Sequence, residues 1–226
     1  MNQWKELWKN RVNHTDEPLA QETLLKLNGY DGKQSDLNPN NLGKAQQHFE
    51  RVMDLQRGES IYEIACGAGA FMWRWRSQQF HTIGGCDISA NLIGYATEAL
   101  PQGHWSVADA TSFPVDRWDH VVSFGLCMYL PKDEMYTMLN RMIMKAKRSI
   151  SLYDIPDLAK KQGCEDERRK LIPDYDERYK ELNHFYHSKE ELAAYLESLG
   201  LDYEIYDQDI PGYENAKWRF NVTVRL

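Results

Sequence analysis

The stretch Ile61-Tyr62-Glu63-Ile64-Ala65-Cys66-Gly67-Ala68-Gly69-Ala70 constrains this chain more than any other. An apolar run ends in a turn of small residues with two glycines, and a segment carrying Phe71, Trp73 and Trp75 follows. Strand, glycine turn and helix in that order is how an open α/β sheet presents its backbone to a nucleotide-like ligand. Glycine suits such a turn because a Cβ there would block the ligand's approach.

From this turn onward the pattern alternates. Strand-like runs at 61–65, 82–86, 104–107, 120–124 and 149–153 are separated by helix-like runs at 70–79, 88–100 and 131–145. Strands alternating with helices imply crossover connections and a parallel sheet covered on both faces. Two late strand-like runs, 203–208 and 218–224, have no helix between them, which predicts an antiparallel pair finishing the sheet. The expected fold class is α/β, a Rossmann-like, seven-stranded, mostly parallel sheet with helices on both faces. A chain of 226 residues suffices for one such domain with a sizeable core.

Ahead of the sheet, residues 3–12 put Trp4, Leu7, Trp8 and Val12 on one helical face. A second helix is expected to open near Asp16-Glu17-Pro18 and to stop at Gly29. The two tryptophans fit either packing against the sheet or a lid over a ligand, since indole offers flat, rigid contact area. Residues 28–41 are rich in turn formers and read as a long loop, of a kind that is often functional. Tyr30 is a candidate substrate contact there, and a helix is expected from Leu42 to Leu55.

The formal net charge of -7 argues against a nucleic-acid backbone as the main partner, because phosphate binding needs a surplus of Lys and Arg. Four scattered cysteines, with no CxxC, point to a reducing compartment and no structural zinc; no metal site is expected. No run reaches membrane-spanning length, so a soluble, cytoplasmic protein without a membrane partner is expected.

Several positions converge on the carboxyl ends of consecutive strands. Asp87 lies at the end of strand 2, 20 residues beyond Gly67, where an acid can accept both hydroxyl protons of a ribose. Asp109 follows strand 3, within reach of an adenine amine, and Ser123-Phe124-Gly125 closes strand 4 on the same crevice. A dinucleotide fingerprint would place a third glycine where Met72 stands, and no Gly-Lys-Ser/Thr follows the turn as a P-loop requires. Glu63, inside strand 1, would repel a pyrophosphate and suits a ligand with positive charge, such as a sulfonium or an amino group.

Four blocks, Glu63-Ile-Ala-Cys-Gly67-Ala-Gly69, Gly85-Cys-Asp87-Ile-Ser, Val107-Ala-Asp109-Ala and Trp118-Asp119-His-Val-Val-Ser123, together resemble the class I S-adenosylmethionine-dependent methyltransferases. The resemblance covers about residues 58–154. It implies S-adenosylmethionine as cofactor, with Gly67 and Gly69 along its methionine part and Glu63 acting on the amino-acid end indirectly or through backbone. It also implies Asp87 on the ribose, Asp109 and Ala110 flanking adenine, and Ile88 against the adenine face. Phe124 and Ala65 complete the expected cofactor shell. Ala65 is the departure, since the family usually has glycine there.

The acceptor side is expected in the long 155–187 segment after strand 5, where this fold class inserts a cap. His184 is a candidate general base, because imidazole titrates near neutrality, or a hydrogen-bonded structural histidine. Tyr129 either reaches the acceptor or packs with Met128 and Leu130. Asp154 either orients or deprotonates the acceptor, or serves as a turn carboxylate before Ile155-Pro156. Arg168 and Arg169 form a phosphate or carboxylate clamp, or belong to a solvated helix face beside Glu165, Asp166 and Glu167. Tyr186 is a further candidate substrate contact.

Strand 4 lacks an Asn/Asp-Pro-Pro-aromatic tetrapeptide, which argues against amino-methylation of a nucleic-acid base. The 184–186 block and the C-terminal strand pair are loosely similar to small methyltransferases of bacterial capsule and surface-polysaccharide clusters. The expectation is methyl transfer to a small polar acceptor, most simply an oxygen of a sugar, phosphoramidate or other phosphorylated metabolite. Alternatives are N-methylation of a small amine, tRNA or protein, and a non-catalytic methyltransferase-like subunit. The expected organisation is a helical lid over 1–57, a cofactor-binding core over 58–154, an acceptor cap over 155–187, and a closing helix and strand pair over 188–226.

Overall fold

The computed structural model describes residues 3–30, 37–77 and 81–226. Its strands are β1 (Ser60–Ile64), β2 (Thr82–Asp87), β3 (His104–Val107), β4 (Trp118–Phe124), β5 (Ala146–Pro156), β6 (Asp202–Asp207) and β7 (Arg219–Arg225). They form one sheet in the order β3-β2-β1-β4-β5-β7-β6. The first five are parallel, and β7 runs antiparallel between β5 and β6. The expected mostly parallel sheet with a late antiparallel pair is therefore present. Strand β1 pairs with β2 on one side and β4 on the other, so the chain reverses its direction of winding there and opens a crevice at the carboxyl ends.

Helices α4 (Ala90–Ala99), α5 (Lys132–Lys145) and α8 (Lys189–Ser198) follow strands or open the closing segment near where the periodicity predicts them. Ser89 and Ser188 cap α4 and α8, accepting from the Leu92 and Glu191 N–H groups. Two apolar cores flank the sheet, one built around Met135, Met138, Leu139, Leu192 and Val222. The other holds Leu24, Leu42, Phe49, Phe71 and Met72.

The second core corrects an expectation. The predicted helix over 70–79 is only a 3-10 turn, Met72–Trp75, with Gln78 and Gln79 outside the described residues. Helix α3 (Pro39–Val52) covers this face instead and begins three residues before the predicted 42–55 span. Asn38 and Asn41 form a reciprocal cap at its start, with Pro39 in the first helical position. Glu50 of α3 then binds Arg74 Nε at 2.7 Å and Trp75 Nε1 at 3.1 Å. Gln46 Nε2 donates to the Phe71 carbonyl at 2.6 Å. These contacts hold the short turn in a form that a regular helix would break. Of the predicted 28–41 loop, residues 31–36 lie outside the described residues.

Helix α1 (Gln3–Asn10) is followed by α2 (Gln21–Leu27), which opens after the expected start at 16–18 and is followed by Gly29 at φ +91°, a helix stop. After β5 the chain builds α6 (Lys161–Leu171) and the single turn α7 (Tyr175–Arg178). It then returns along the sheet, with the His187 N–H donating to the Pro156 carbonyl at 2.9 Å and the Phe185 N–H donating to Met128 at 2.9 Å. Among the described residues no helix is long and apolar enough to cross a membrane.

Candidate active site

A cavity of about 800 Å³ opens at the carboxyl ends of β1, β2, β4 and β5, roofed by α1 and by the 155–187 segment. Its floor is the glycine turn. Gly67 takes φ +54° and Gly69 φ +85°, and Ala65 also adopts the left-handed region at φ +59°. That value explains why glycine would suit position 65. The Gly67 N–H donates to Asp87 Oδ2 at 2.9 Å, and the Ser89 N–H donates to Oδ1 at 2.9 Å. A carboxylate has about four acceptor sites, so each Asp87 oxygen can accept one bond more. Burial raises the Asp87 carboxyl above its ordinary value, and the backbone N–H groups work against that shift.

Asp109 faces the same cavity, where its Oδ1 accepts from the Thr111 N–H at 2.7 Å and hydroxyl at 2.6 Å. Lys5 of α1 bridges Asp109 Oδ2 and Glu134 Oε2, both at 3.1 Å. Burial opposes ionisation of Asp109, but Thr111 and Lys5 prevail and hold its carboxyl below the ordinary range. Ile88, Leu92, Ala108 and Ala110 supply an apolar wall between the two acids.

Two residues expected on the cofactor shell lie behind it. Gly69 does not line the cavity: a Cβ there would meet Leu100 Cδ1 at 2.9 Å, so this glycine permits packing of the turn on α4. Glu63 is buried within β1 and is also absent from the cavity wall. Burial, with nearby Asp87 adding to it, raises its carboxyl well above the ordinary value, and its Oε2 has no hydrogen-bond partner.

Asn28 was not singled out from sequence, because Asn-Gly after a helix reads as a stop signal. Its Oδ1 accepts from the Ala68 N–H at 2.7 Å, so the end of α2 closes over the glycine turn. A Cβ on Gly67 would lie 2.2 Å from that oxygen. The close approach requires glycine at 67.

At the other end of the cavity, Asp154 stands at a register shift of β5 against β7 and has φ +63°. Its N–H donates to Asn221 Oδ1 at 3.0 Å, and its Oδ2 accepts from the Tyr213 hydroxyl at 3.1 Å. Arg219, the first residue of β7, places Nε 3.6 Å from Asp154 Oδ1. Burial raises the Asp154 carboxyl, with Arg219 opposing. Tyr213 lies outside any local motif, and Arg219 falls within the closing strand pair, where nothing local marks it as a site residue. Tyr30 reaches this corner too. Its hydroxyl sits 2.5 Å from the Cβ position of Gly125, and its ring meets Phe124 edge-on.

His184 lines the cavity, stacked on Trp4 with centroids 4.9 Å apart and near Tyr129 at 5.9 Å. Arg168 Nη1 lies 2.6 Å from His184 Nδ1. Guanidinium only donates, so Nδ1 is the acceptor and the neutral ring carries its proton on Nε2. Burial, then Arg168 and Arg219, push the imidazolium well below its ordinary pKa. A ring whose lone pair is already engaged is a poor proton acceptor, and this geometry matches the second of the two readings of His184, a hydrogen-bonded structural histidine. Tyr129 forms part of the wall, its hydroxyl raised to about 12 by burial.

Arg168 lines the cavity but Arg169 does not. Arg169 lies on the outer face of α6, paired with Asp166 and Asp176 at 3.2 and 3.0 Å, because a helix turns successive side chains about 100° apart. Tyr186 is also outside the wall, with Lys161 Nζ 5.5 Å from its ring centroid. Among the described residues no group of three His, Cys, Asp or Glu is placed to hold a metal ion.

Residues 61–148 match the sequence model of the methyltransferase domain family. No protein of curated function matches the chain. Solved structures match it in fold. One is magnesium protoporphyrin IX methyltransferase from Synechocystis with bound S-adenosylhomocysteine, with a TM-score of 0.60 and 13% identity over 98% of this chain and 91% of that one. Another is an S-adenosylmethionine-dependent methyltransferase from Clostridium acetobutylicum, with a TM-score of 0.62 and 12% identity over 84% and 93%. A third, the DhpI–SAM–HEP complex, gives 0.59 and 16% over 94% and 100%. The family match spans the strands that carry the glycine turn and both acids, and the fold of the whole chain is that of S-adenosylmethionine-dependent methyltransferases of known structure.

Proposed function

We propose that the chain binds S-adenosylmethionine across the glycine turn and transfers its methyl group to an oxygen of a small polar acceptor held between Asp154, Tyr30 and the 155–187 cap. The residues present fit the cofactor. Gly67 lines the cavity at positive φ, Asp87 keeps acceptor capacity for ribose hydroxyls, and an apolar wall suited to adenine ends at Asp109. The observation that carries the reading is that these groups and the Asp154 corner share one continuous cavity.

When bound, S-adenosylmethionine supplies a methyl group on a sulfonium, the electrophile for an in-line displacement. The chain's own part is alignment, exclusion of water and management of one proton. Trp4, Trp8 and Tyr129 form an aromatic roof, with Trp4 Nε1 donating to the Asn183 carbonyl at 3.0 Å. Asp154 is the best-placed proton acceptor, because its Oδ1 is buried without a hydrogen-bond partner and burial raises its basicity. The acceptor class rests on this cavity and not on the loose similarity to surface-polysaccharide enzymes. Its roof of α1 and cap favours a small molecule over a tRNA or protein side chain.

Calorimetry with S-adenosylhomocysteine tests the cofactor half. Asp87→Ala is expected to weaken binding by at least about tenfold, as loss of hydrogen bonds to a charged group predicts. Failure of the wild-type protein to bind would sink the reading. An unchanged affinity in the variant would remove Asp87 from the ribose role.

A further inference from the structure

The corner between β5 and β7 contains a buried charge pair that is incompletely satisfied. Arg219 is 1% exposed, yet neither its Nε nor its Nη1 has a hydrogen-bond partner. Asp154 is equally buried, and its Oδ1 is likewise unpartnered. At 3.6 Å the two groups attract each other but do not form a hydrogen bond. Both face the cavity.

A purely structural pair would be expected to close, since a buried guanidinium left without acceptors is costly. This one is held apart by its own supports. Tyr213 occupies Asp154 Oδ2 and Asn221 fixes the Asp154 backbone. What remains open is a set of cationic donors beside one carboxylate acceptor. Arg168 lines the same cavity and adds a second positive charge. A neutral acceptor would leave the guanidinium donors unmet, whereas a planar or tetrahedral anion matches them.

We infer that Arg219 and Asp154 together recognise the acceptor, and that the acceptor carries an anionic oxygen group, carboxylate or phosphoryl, next to a hydroxyl or ammonium group. The anion seats on Arg219 and the neighbouring O–H or N–H donates to Asp154 Oδ1. This deepens the methyl-transfer reading and rests on it. It also gives Arg219 the clamp role that was one of the two sequence readings of Arg168 and Arg169.

The test uses three probes with one carbon skeleton: glycerate, glycerol 3-phosphate and glycerol. Each is titrated calorimetrically into full-length protein saturated with S-adenosylhomocysteine, and separately into protein without it. At least one anion is expected to bind about tenfold or more tightly than glycerol, and the pattern distinguishes a carboxylate site from a phosphoryl site. Arg219→Gln is expected to abolish that preference while S-adenosylhomocysteine affinity stays within about twofold. The wild-type comparison stands if Arg219→Gln fails to fold, and Arg219→Lys, which keeps the charge but loses the planar donor set, is expected to retain only part of the preference. Glycerol binding as well as both anions, or an undiminished preference in Arg219→Gln, would overturn the inference. Wild-type protein that binds the cofactor product but neither anion overturns it alone. Anion binding without any binding of S-adenosylhomocysteine overturns the methyl-transfer reading and upholds the anion site.

Discussion

Ala65 holds a left-handed backbone conformation that costs a residue with a Cβ about 1–2 kcal/mol. Glycine avoids that strain but gives up about 0.5–1 kcal/mol to unfolded-chain freedom. Ala65→Gly is therefore expected to stabilise the protein by up to about 1 kcal/mol, read as a higher urea midpoint at unchanged slope. A lower midpoint would show that the Ala65 methyl contributes packing that offsets the strain. His184 carries the second prediction at this scale. The unfolded chain takes up a proton at this residue near pH 6.5, while burial and two arginines keep the folded ring neutral. Below about pH 6.5 the unfolded state thus binds more protons, and stability falls as pH falls. His184→Gln is expected to make that decline shallower by at most about 1.4 kcal/mol per pH unit, measured as denaturant midpoints between pH 7 and 5.5. His48 and His187 are shifted in the same direction, burial first, so part of the decline remains. An unaltered slope in the variant would mean that the folded protein accepts a proton on His184.

Among the elements, the 3-10 turn Met72–Trp75 depends on a neighbour distant in sequence. Glu50 receives Arg74 through both Nε and Nη2, at 2.7 and 2.8 Å, together with the Trp75 indole. Exposed ion pairs contribute little singly, but a bidentate pair sharing a carboxylate with a third donor is better placed. Glu50→Ala is expected to destabilise by about 1–2 kcal/mol and to increase hydrogen exchange at residues 71–75. A loss below about 0.3 kcal/mol, with exchange unchanged, would show that apolar packing alone positions the turn. The apolar and aromatic pattern of Phe71, Trp73 and Trp75 predicts a regular helix because it contains nothing to stop one. The covering role of α3 and the reach of Glu50 do not show in the local pattern.

For the molecule as a whole, α1 ties the two ends of the cavity together. Trp4 binds the Asn183 carbonyl in the 155–187 segment, while Lys5 one residue later binds Asp109 on the opposite side. Most of the apolar core lies elsewhere, between the sheet and α3, α5 and α8. Removal of residues 1–12 is expected to leave far-ultraviolet circular dichroism nearly unchanged and to speed S-adenosylhomocysteine dissociation by about tenfold or more, measured by stopped flow. Unchanged dissociation would make α1 a packing element and not a lid. The alternation of strands and helices revealed most of this architecture, including the antiparallel finish. Gly67, Asp87 and Asp109, singled out from their positions at strand ends, are brought to one cavity. Legibility ended at the acceptor side, where Arg169 points outward, His184 has its lone pair engaged, and Arg219 enters from a strand that the sheet order places beside β5.

The sequence by itself determined the succession of strands and helices, the glycine turn and the acids that close β2 and β3. These are local properties: apolar periodicity, backbone freedom and position at a strand end each act within a few residues. Only the tertiary structure decided which side chains share the cavity. Asn28 reaches Ala68 across 40 residues, and Tyr213 reaches Asp154 across 59. Such encounters depend on the winding of the whole sheet, and the β5–β7 pairing brings Arg219 to Asp154 in the same way. A strand-end arginine has no local signature that separates a surface charge from a buried ligand group, so burial and neighbours had to come from the fold.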